Sequence, residues 1–460
     1  MKKKFLTIPV LSIGLLSMSV PAFAANPPNT VTVPSGYKVS MFGQDGTATN
    51  PDDITRLGDH IFIGYQNGVG SDGKASATGN TKSTIIEYNL SGEKIKSWTV
   101  TGKCDGLTAD PNNNRLLATA NEDGNSTFYV IYPNANQVKD YTYNPAPDAP
   151  TAAGTMATGG GTDAITIQNG KIYISASNPS DVSKAALFQA TLDDKTNTVK
   201  LQTVFTNNAT AKDAVTGQSV TLGLTDNDSN KMVPAESPRF AGDFMLDGQA
   251  DKQLIFAKKI GTPNQSLTRL AIDAPVDDTA WATSQSGTLL VSDTSANTVY
   301  AIKGNFTKGQ AFVAIPGGDG TPANLANKIG TLDLATGHIQ AFASGLNAPH
   351  GLLFIPDAPS APSQASTTKT STTVQPASKK IHVHVVIPNT AFWQAKGLVS
   401  EFEKRGLACR GVNLKTYGKN EVPKANDPYQ FVIDTTLDSA KQLVIELKTR
   451  GYHKTYGEAI

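Results

Sequence analysis

Only two cysteines, Cys104 and Cys409, occur in the 460 residues, far apart in the chain. A disulfide framework is therefore excluded. Neither cysteine belongs to a Cys-x-x-Cys or a zinc-ligand spacing, which removes thioredoxin-like redox chemistry, c-type haem attachment and a cysteine zinc site. Charge of one sign is lacking too: 40 basic side chains stand against 39 acidic ones, with none of the excess by which a protein holds nucleic acid. There is no Gly-x-Ser-x-Gly elbow, no His-Glu-x-x-His and no Walker loop, so serine esterase, zincin and NTPase chemistry have no residues to stand on. Gly68, Gly70 and Gly73 have the dinucleotide-binding spacing, but Lys74-Ala75-Ser76-Ala77-Thr78-Gly79 follows, with no amphipathic helix to present its N-terminus to a phosphate.

Long apolar runs are absent except at the start. Lys2, Lys3 and Lys4 precede an apolar stretch from Phe5 to Val20, and Ala22-Phe23-Ala24 follows as a small-residue cleavage site. Residues 1–24 thus read as a signal peptide, which predicts export to the periplasm or beyond and leaves no membrane span after cleavage. No cysteine follows the signal, which excludes a lipoprotein anchor.

Forty Gly and 26 Pro point to many turns and short strands. One composition shift divides the chain. From Asp357 to Ser378 the sequence is almost entirely Ser, Thr, Ala, Pro and Gln, too poor in apolar side chains to fold, and reads as a tether at 357–378. It separates a large domain at 25–356, with 30 acidic and 23 basic groups, from a small one at 379–460, with 8 acidic and 13 basic.

In the large domain short β-rich runs alternate with Asn, Asp and Gly turns, and no amphipathic helix interrupts them. A recurrent acidic or turn-forming start appears at Asp52, Asp105, Asp163, Asp243, Asp277 and His350. Six starts at blade-sized intervals predict an all-β propeller of about six blades. The intervals are uneven, and the strands around Ile329 to Phe342 fit no slot. Asn347-Ala348-Pro349-His350-Gly351-Leu352 and Asp105-Gly106-Leu107 resemble the blade starts of NHL-type and gluconolactonase-like six-bladed propellers. That resemblance implies acidic and amide side chains on a divalent metal, usually Ca²⁺, in the channel.

In a propeller Asp52, Asp105, Asp163, Asp277 and His350 occupy equivalent inner-strand positions, with Asp53, Asp243 and Asp278 one residue later. Carboxylates crowded at one mouth need raised pKa values or a cation, and oxygen ligands favour Ca²⁺ or Mg²⁺. Asp52, Asp105, Asp163 and Asp277 are thus candidate metal ligands, and Asp105, Asp163 and His350 candidate catalytic groups of a metal-dependent hydrolase or lactonase. The alternative is structural, the Asp residues capping backbone amides at each start. Asp226, Asp228 and Asn230 have the oxygen spacing that opens an EF-hand loop, but Lys231 and Ser237 stand where Gly and Glu belong, leaving at most a looser Ca²⁺ loop or a polar turn.

The small domain changes period. Ile381 to Ile387 alternates as a strand; Ala395, Leu398, Val399 and Phe402, and again Ala440, Leu443, Val444 and Leu447, fall at helical spacing. The two halves align at an offset of 45 residues, which predicts a βαββαβ ferredoxin-like domain with helices on one sheet face. Element order and the Lys404-Arg405-Gly406-Leu407 and Thr449-Arg450-Gly451-Tyr452 helix ends resemble a SPOR domain, which implies binding to peptidoglycan glycan strands. Strand alternation with that offset puts His382, His384, Tyr429 and Phe431 on the open face as candidate glycan-stacking residues. The sequence thus reads as an exported envelope binding protein whose small domain holds cell-wall glycan and whose propeller holds an unidentified ligand. The alternative is a Ca²⁺-dependent hydrolase or lactonase at the channel mouth.

Overall fold

A computed structural model describes residues 31–43, 46–147 and 160–357, and in the C-terminal part 380–387, 398–399, 401–402, 407–413, 429–436, 443–444, 447 and 456–459. The signal peptide expected at 1–24 lies outside the described residues, as does the tether at 357–378 apart from Asp357. The chain divides into two compact units, Met1–Ser360 and Ala361–Ile460.

The first unit is all strand among its described residues, arranged as six antiparallel blades. Strand β1 (Lys38–Phe42) precedes a first blade of β2 (Pro51–Leu57), β3 (His60–Tyr65), β4 (Lys82–Asn89) and β5 (Lys94–Thr101). The second is β6 (Cys104–Asp110), β7 (Arg115–Ala120), β8 (Thr127–Tyr132) and β9 (Gln137–Tyr143). The third is β10 (Ile165–Gln168), β11 (Lys171–Ser175), β12 (Ala185–Asp193) and β13 (Thr198–Thr206), whose last strand meets β9 in a short parallel pairing. An extra hairpin, β14 (Thr210–Asp213) and β15 (Ser219–Thr221), lies on the outer edge of the fourth blade, β16 (Asn227–Met232), β17 (Phe244–Gly248), β18 (Gln253–Lys258) and β19 (Ser266–Ala271).

The last two blades interleave. β20 (Thr279–Trp281) is the inner strand of the fifth blade, but the chain next builds β21 (Ser286–Asp293) and β22 (Thr298–Asn305) in the sixth. It then returns to complete the fifth with β23 (Ala311–Ile315), β24 (Lys328–Leu332) and β25 (Ile339–Ala343), and ends on the sixth blade's inner strand β26 (Pro349–Pro356). β1 supplies the sixth blade's outer strand. Thus Ile329 to Phe342, which fit no slot in a sequential count, belong to a blade begun some fifty residues earlier.

Turns and packing follow from residue type. Asn114, Asn136, Asn169, Asn197 and Asn297 take φ between 48 and 52° at hairpin turns, the left-handed region that Asn tolerates better than other side chains. Because strand side chains alternate, each blade feeds two interblade cores: Leu116 packs toward the first blade and Leu117 toward the third, Leu246 toward the third and Met245 toward the fifth. Six such cores run round the ring, the last joining Ile54, Ile61 and Tyr88 to Leu290 and Val299. Inner strands of neighbouring blades are tied by side chains: Asp53 Oδ2 accepts the Leu107 N–H at 2.8 Å, Asp278 Oδ2 the Leu352 N–H at 2.7 Å, and Thr119 Oγ1 donates to Asp163 O at 2.7 Å. These bonds satisfy backbone groups that no ladder reaches.

The fourth blade start corrects the sequence reading. Asp243 lies at the head of β17, the second strand; the inner strand is β16, which contains the Asn227, Asp228 and Asn230 read as part of a calcium loop. The inserted β14–β15 hairpin accounts for the long interval before it.

The C-terminal unit has a four-stranded antiparallel sheet in the order β28 (Ala408–Asn413), β29 (Tyr429–Thr436), β27 (Lys380–Ile387), β30 (Tyr456–Ala459). Leu398, Phe402, Leu443 and Leu447, all helical, form a buried cluster with Ile433. Val383 pairs with Ile433, and His382 and His384 pair with Asp434 and Val432. Tyr429 and Phe431 therefore stand at the positions of Ile433's parity, and the two histidines at the alternate ones. The four residues expected on one glycan-binding face do not share one; antiparallel pairing, not the repeat offset, sets the register.

Candidate functional site

Each inner strand delivers one ionisable side chain to the same end of the channel: Asp52, Asp105, Asp163, Asp228, Asp277 and His350, in blade order. They line a cavity of about 140 Å³ together with Asp53, Gln66, Lys103, Glu122, Ser229 and Gln249. Position one on the strand faces the mouth; position two holds Asp53, Gly106, Ala164, Ser229, Asp278 or Gly351. The two glycines are steric requirements: a Cβ on Gly351 would stand 2.2 Å from Asp52 O, and one on Gly106 2.5 Å from Asp163 O.

Seven carboxyls and two cations share this space. His350 Nδ1 lies 3.1 Å from both Asp52 Oδ1 and Asp277 Oδ2, and the three groups place donor atoms within 4.8 Å of one another. Lys103 Nζ is 2.8 Å from Asp105 Oδ1 and also contacts Glu122. Gln66 Nε2 bridges Asp52 Oδ2, at 2.5 Å, and Asp105 Oδ1, at 3.1 Å, and Gln249 Nε2 donates to Asp277 Oδ2 at 3.2 Å. The Asp163 and Asp228 carboxyls stand beside each other, so both ionise together only at a cost. Among the described residues Asp105 Oδ2 is buried with no partner.

Burial sets the titration. It raises Asp277 to about 7 against the opposing pull of His350. It raises Asp105 well above the carboxylate range although Lys103 opposes, and Asp163 and Asp228 likewise, with neighbouring carboxyls adding to the effect. For His350 burial works downward, but Asp277 and Asp52 outweigh it and carry the imidazole to about 9. This is the compensation that crowded carboxyls demand when protons alone supply it.

All four residues read as metal ligands, Asp52, Asp105, Asp163 and Asp277, are brought together here, as is His350. Of the second acidic group only Asp228 lines the cavity. Asp226, which burial raises to about 6, meets Ser177 Oγ at 3.5 Å. Asn230 donates to Ala164 O and Ser175 Oγ, both at 2.7 Å, so the three are not one loop's ligands; the register shift between Asn227 and Asn230 breaks the alternation that would put i, i+2 and i+4 on one side. Gln66, Lys103, Glu122 and Gln249 were not singled out from the sequence. Three of them sit one or two residues beyond the second strand of a blade, and that shared position was the available signal.

No protein-family model and no curated protein matches the sequence. Among solved structures the chain is similar to the periplasmic gluconolactonase of Pseudomonas aeruginosa, with 12% identity over 70% of this chain and 99% of that one at a TM-score of 0.40. It is also similar to a putative 6-phosphogluconolactonase from Bacteroides uniformis, with 10% identity over 68% and 90% at 0.38. A functionally unknown protein from Desulfotomaculum acetoxidans gives 12% identity over 69% and 95% at 0.35. Among the described residues no helix is long and apolar enough to cross a membrane.

Proposed function

We propose that the large unit is a divalent-cation-dependent hydrolase of small cyclic esters, acting at the acidic mouth of the channel. The observation that carries this reading is the convergence of one ionisable side chain from every inner strand on a single 140 Å³ cavity in which Asp105 Oδ2 is buried without a partner among the described residues. An all-oxygen set with one imidazole fits Ca²⁺ or Mg²⁺. Asp52, Asp105, Asp163, Asp228 and Asp277 are the candidate ligands. A bound cation supplies Lewis acidity toward a carbonyl oxygen and acidifies water. The residues do the rest: Gln66 and Gln249 fix the carboxyls of Asp52 and Asp277, Lys103 holds Asp105 and Glu122, and His350, between two carboxylates, holds and moves a proton at Nδ1. The test is Ca²⁺-dependent lactone hydrolysis by the purified chain. Turnover lost on chelation, and in Asp105→Asn with the fold intact, supports the reading; a chain that binds no divalent cation refutes it.

For the C-terminal unit the strand order and the helical residues between strands support a ferredoxin-like, SPOR-like module that binds peptidoglycan glycan, and the signal sequence supports a periplasmic or secreted location. Cosedimentation of the full chain with peptidoglycan sacculi tests this, and its absence refutes the glycan reading.

A further inference from the structure

The channel has a second chamber. At the opposite ends of the inner strands a cavity of about 660 Å³ opens, lined by Thr55, Thr108, Thr166, Lys231, Ala280 and Leu353 among others, with Ile54, Leu107, Trp281 and Phe354 reaching its wall from the interblade cores. Only Asp53, Ala164 and Ser229 line both this chamber and the mouth, so the residue after the mouth group forms the waist on three of the six inner strands. Lys231 crosses beside it, its Nζ reaching from β16 to Asp278 Oδ2 at 2.7 Å, just before β20, and to Leu352 O at 2.9 Å on β26. An ammonium has three protons; those two acceptors use two of them, and the side chain remains 31% exposed.

We propose that this far chamber is a separate binding site for a small uncharged molecule that carries a carbonyl-type acceptor, the acceptor meeting Lys231. The size lies within the range of small-molecule sites, and the wall mixes threonine hydroxyls with apolar side chains. Charge selects the class. A ligand anion would meet Asp53 and Asp278 beside the one ammonium, and a cation would meet Lys231, whereas a neutral acceptor takes the third proton without disturbing the ion pair. The site does not depend on the hydrolase reading, since its lining and the mouth's differ in all but three residues.

The probe is 6-propionyl-2-dimethylaminonaphthalene, a neutral aromatic ketone whose emission shifts to the blue in apolar surroundings. Titrated into the full chain, it is expected to bind saturably at one site per chain. Lys231→Met is expected to weaken binding at least tenfold, and Thr108→Trp, which fills the chamber from its wall, to abolish it, while Ca²⁺ leaves the affinity unchanged. Thr283→Trp fills the same chamber from the loop after β20 and serves if Thr108→Trp does not fold. Absence of saturable binding overturns the proposal, as does binding that survives both the lysine and a chamber-filling substitution. Displacement of the probe by Ca²⁺ overturns it too, by placing the probe in the mouth.

Discussion

The two ends of one channel, built from the same six strands, have different chemistry. At the mouth stand five carboxyls and a histidine, with Asp105, Asp163, Asp228 and Asp277 raised by burial and His350 raised by its carboxylate neighbours; at the far end threonines and apolar side chains line the wall with a single ammonium. The difference shows how a propeller separates function from fold. Residues that pack between blades are fixed by those cores, even where they also reach the channel wall, as Ile54, Leu107, Trp281 and Phe354 do, whereas side chains aimed at the axis are freer to differ from one end to the other.

The largest expected effect comes from the layer between the ends. Gly106→Ala and Gly351→Ala each drive a Cβ into the backbone of the next inner strand, where nothing flexible gives way, and should each cost about 3 kcal/mol in denaturant unfolding. A loss under about 1 kcal/mol would mean that the inner strands can move apart, and the two chambers would not be fixed compartments. Next is Lys103→Met, which leaves Asp105 and Glu122 without their cation; breaking a largely buried pair from one side should cost about 3 kcal/mol. Added Ca²⁺ should restore more of that loss than it adds to the unsubstituted chain, a difference readable in thermal midpoints.

The mouth contributes a pH dependence of its own. Asp277 is raised from 3.8 to about 7 and His350 from 6.5 to about 9, so both hold protons more tightly folded than unfolded. The stability this contributes is complete below the ordinary pKa of each and is lost as the pH rises through the folded value. The loss therefore runs from about 4 to 7 for Asp277 and from 6.5 to about 9 for His350. Without divalent cations the thermal midpoint should fall between pH 5 and pH 9 by roughly 5–10 °C. Ca²⁺ should flatten the curve above pH 7. A midpoint that instead rises with pH would show that the mouth's carboxyls are ionised and stabilised by a counter-charge other than protons.

Five of the six mouth residues were legible because an acidic or turn-forming residue, Asp52, Asp105, Asp163, Asp277 or His350, recurs where the inner strands begin. Asp228 was hidden because its neighbours Asp226 and Asn230 imitate the spacing of calcium-loop oxygens, while Gly242-Asp243 imitates a blade start. The partners Gln66, Glu122 and Gln249 share only a place just past a blade's second strand, and Lys103 carries no local pattern; they matter because tertiary pairing brings them beside the mouth carboxyls. The interleaving of the last two blades was not legible for the same reason: β20 and β23 are each ordinary strands, and only tertiary pairing, Thr279 with Val313, makes them neighbours. On the C-terminal sheet the repeat offset suggested one face for His384 and Phe431, but strand pairing is decided by register, and one residue of slip moves every side chain across the sheet.

The smallest effect expected is at the waist, and it separates the two ends most directly. Lys231 makes a partly exposed ion pair with Asp278 and one bond to Leu352 O. Solvent screening limits what that pair contributes, so Lys231→Met should cost only about 1 kcal/mol. Asp278 keeps the backbone N–H groups of Thr279 and Leu352 as donors, which spares it a bare buried charge. The same substitution should leave the Ca²⁺ affinity of the mouth within about twofold, because no mouth carboxyl on the first ring contacts Lys231 among the described residues. Calorimetric titration of Ca²⁺ into Lys231→Met reads this. A change of tenfold or more would mean that charge at the waist is felt across the layer, and the mouth and the far chamber would then have to be treated as one electrostatic site.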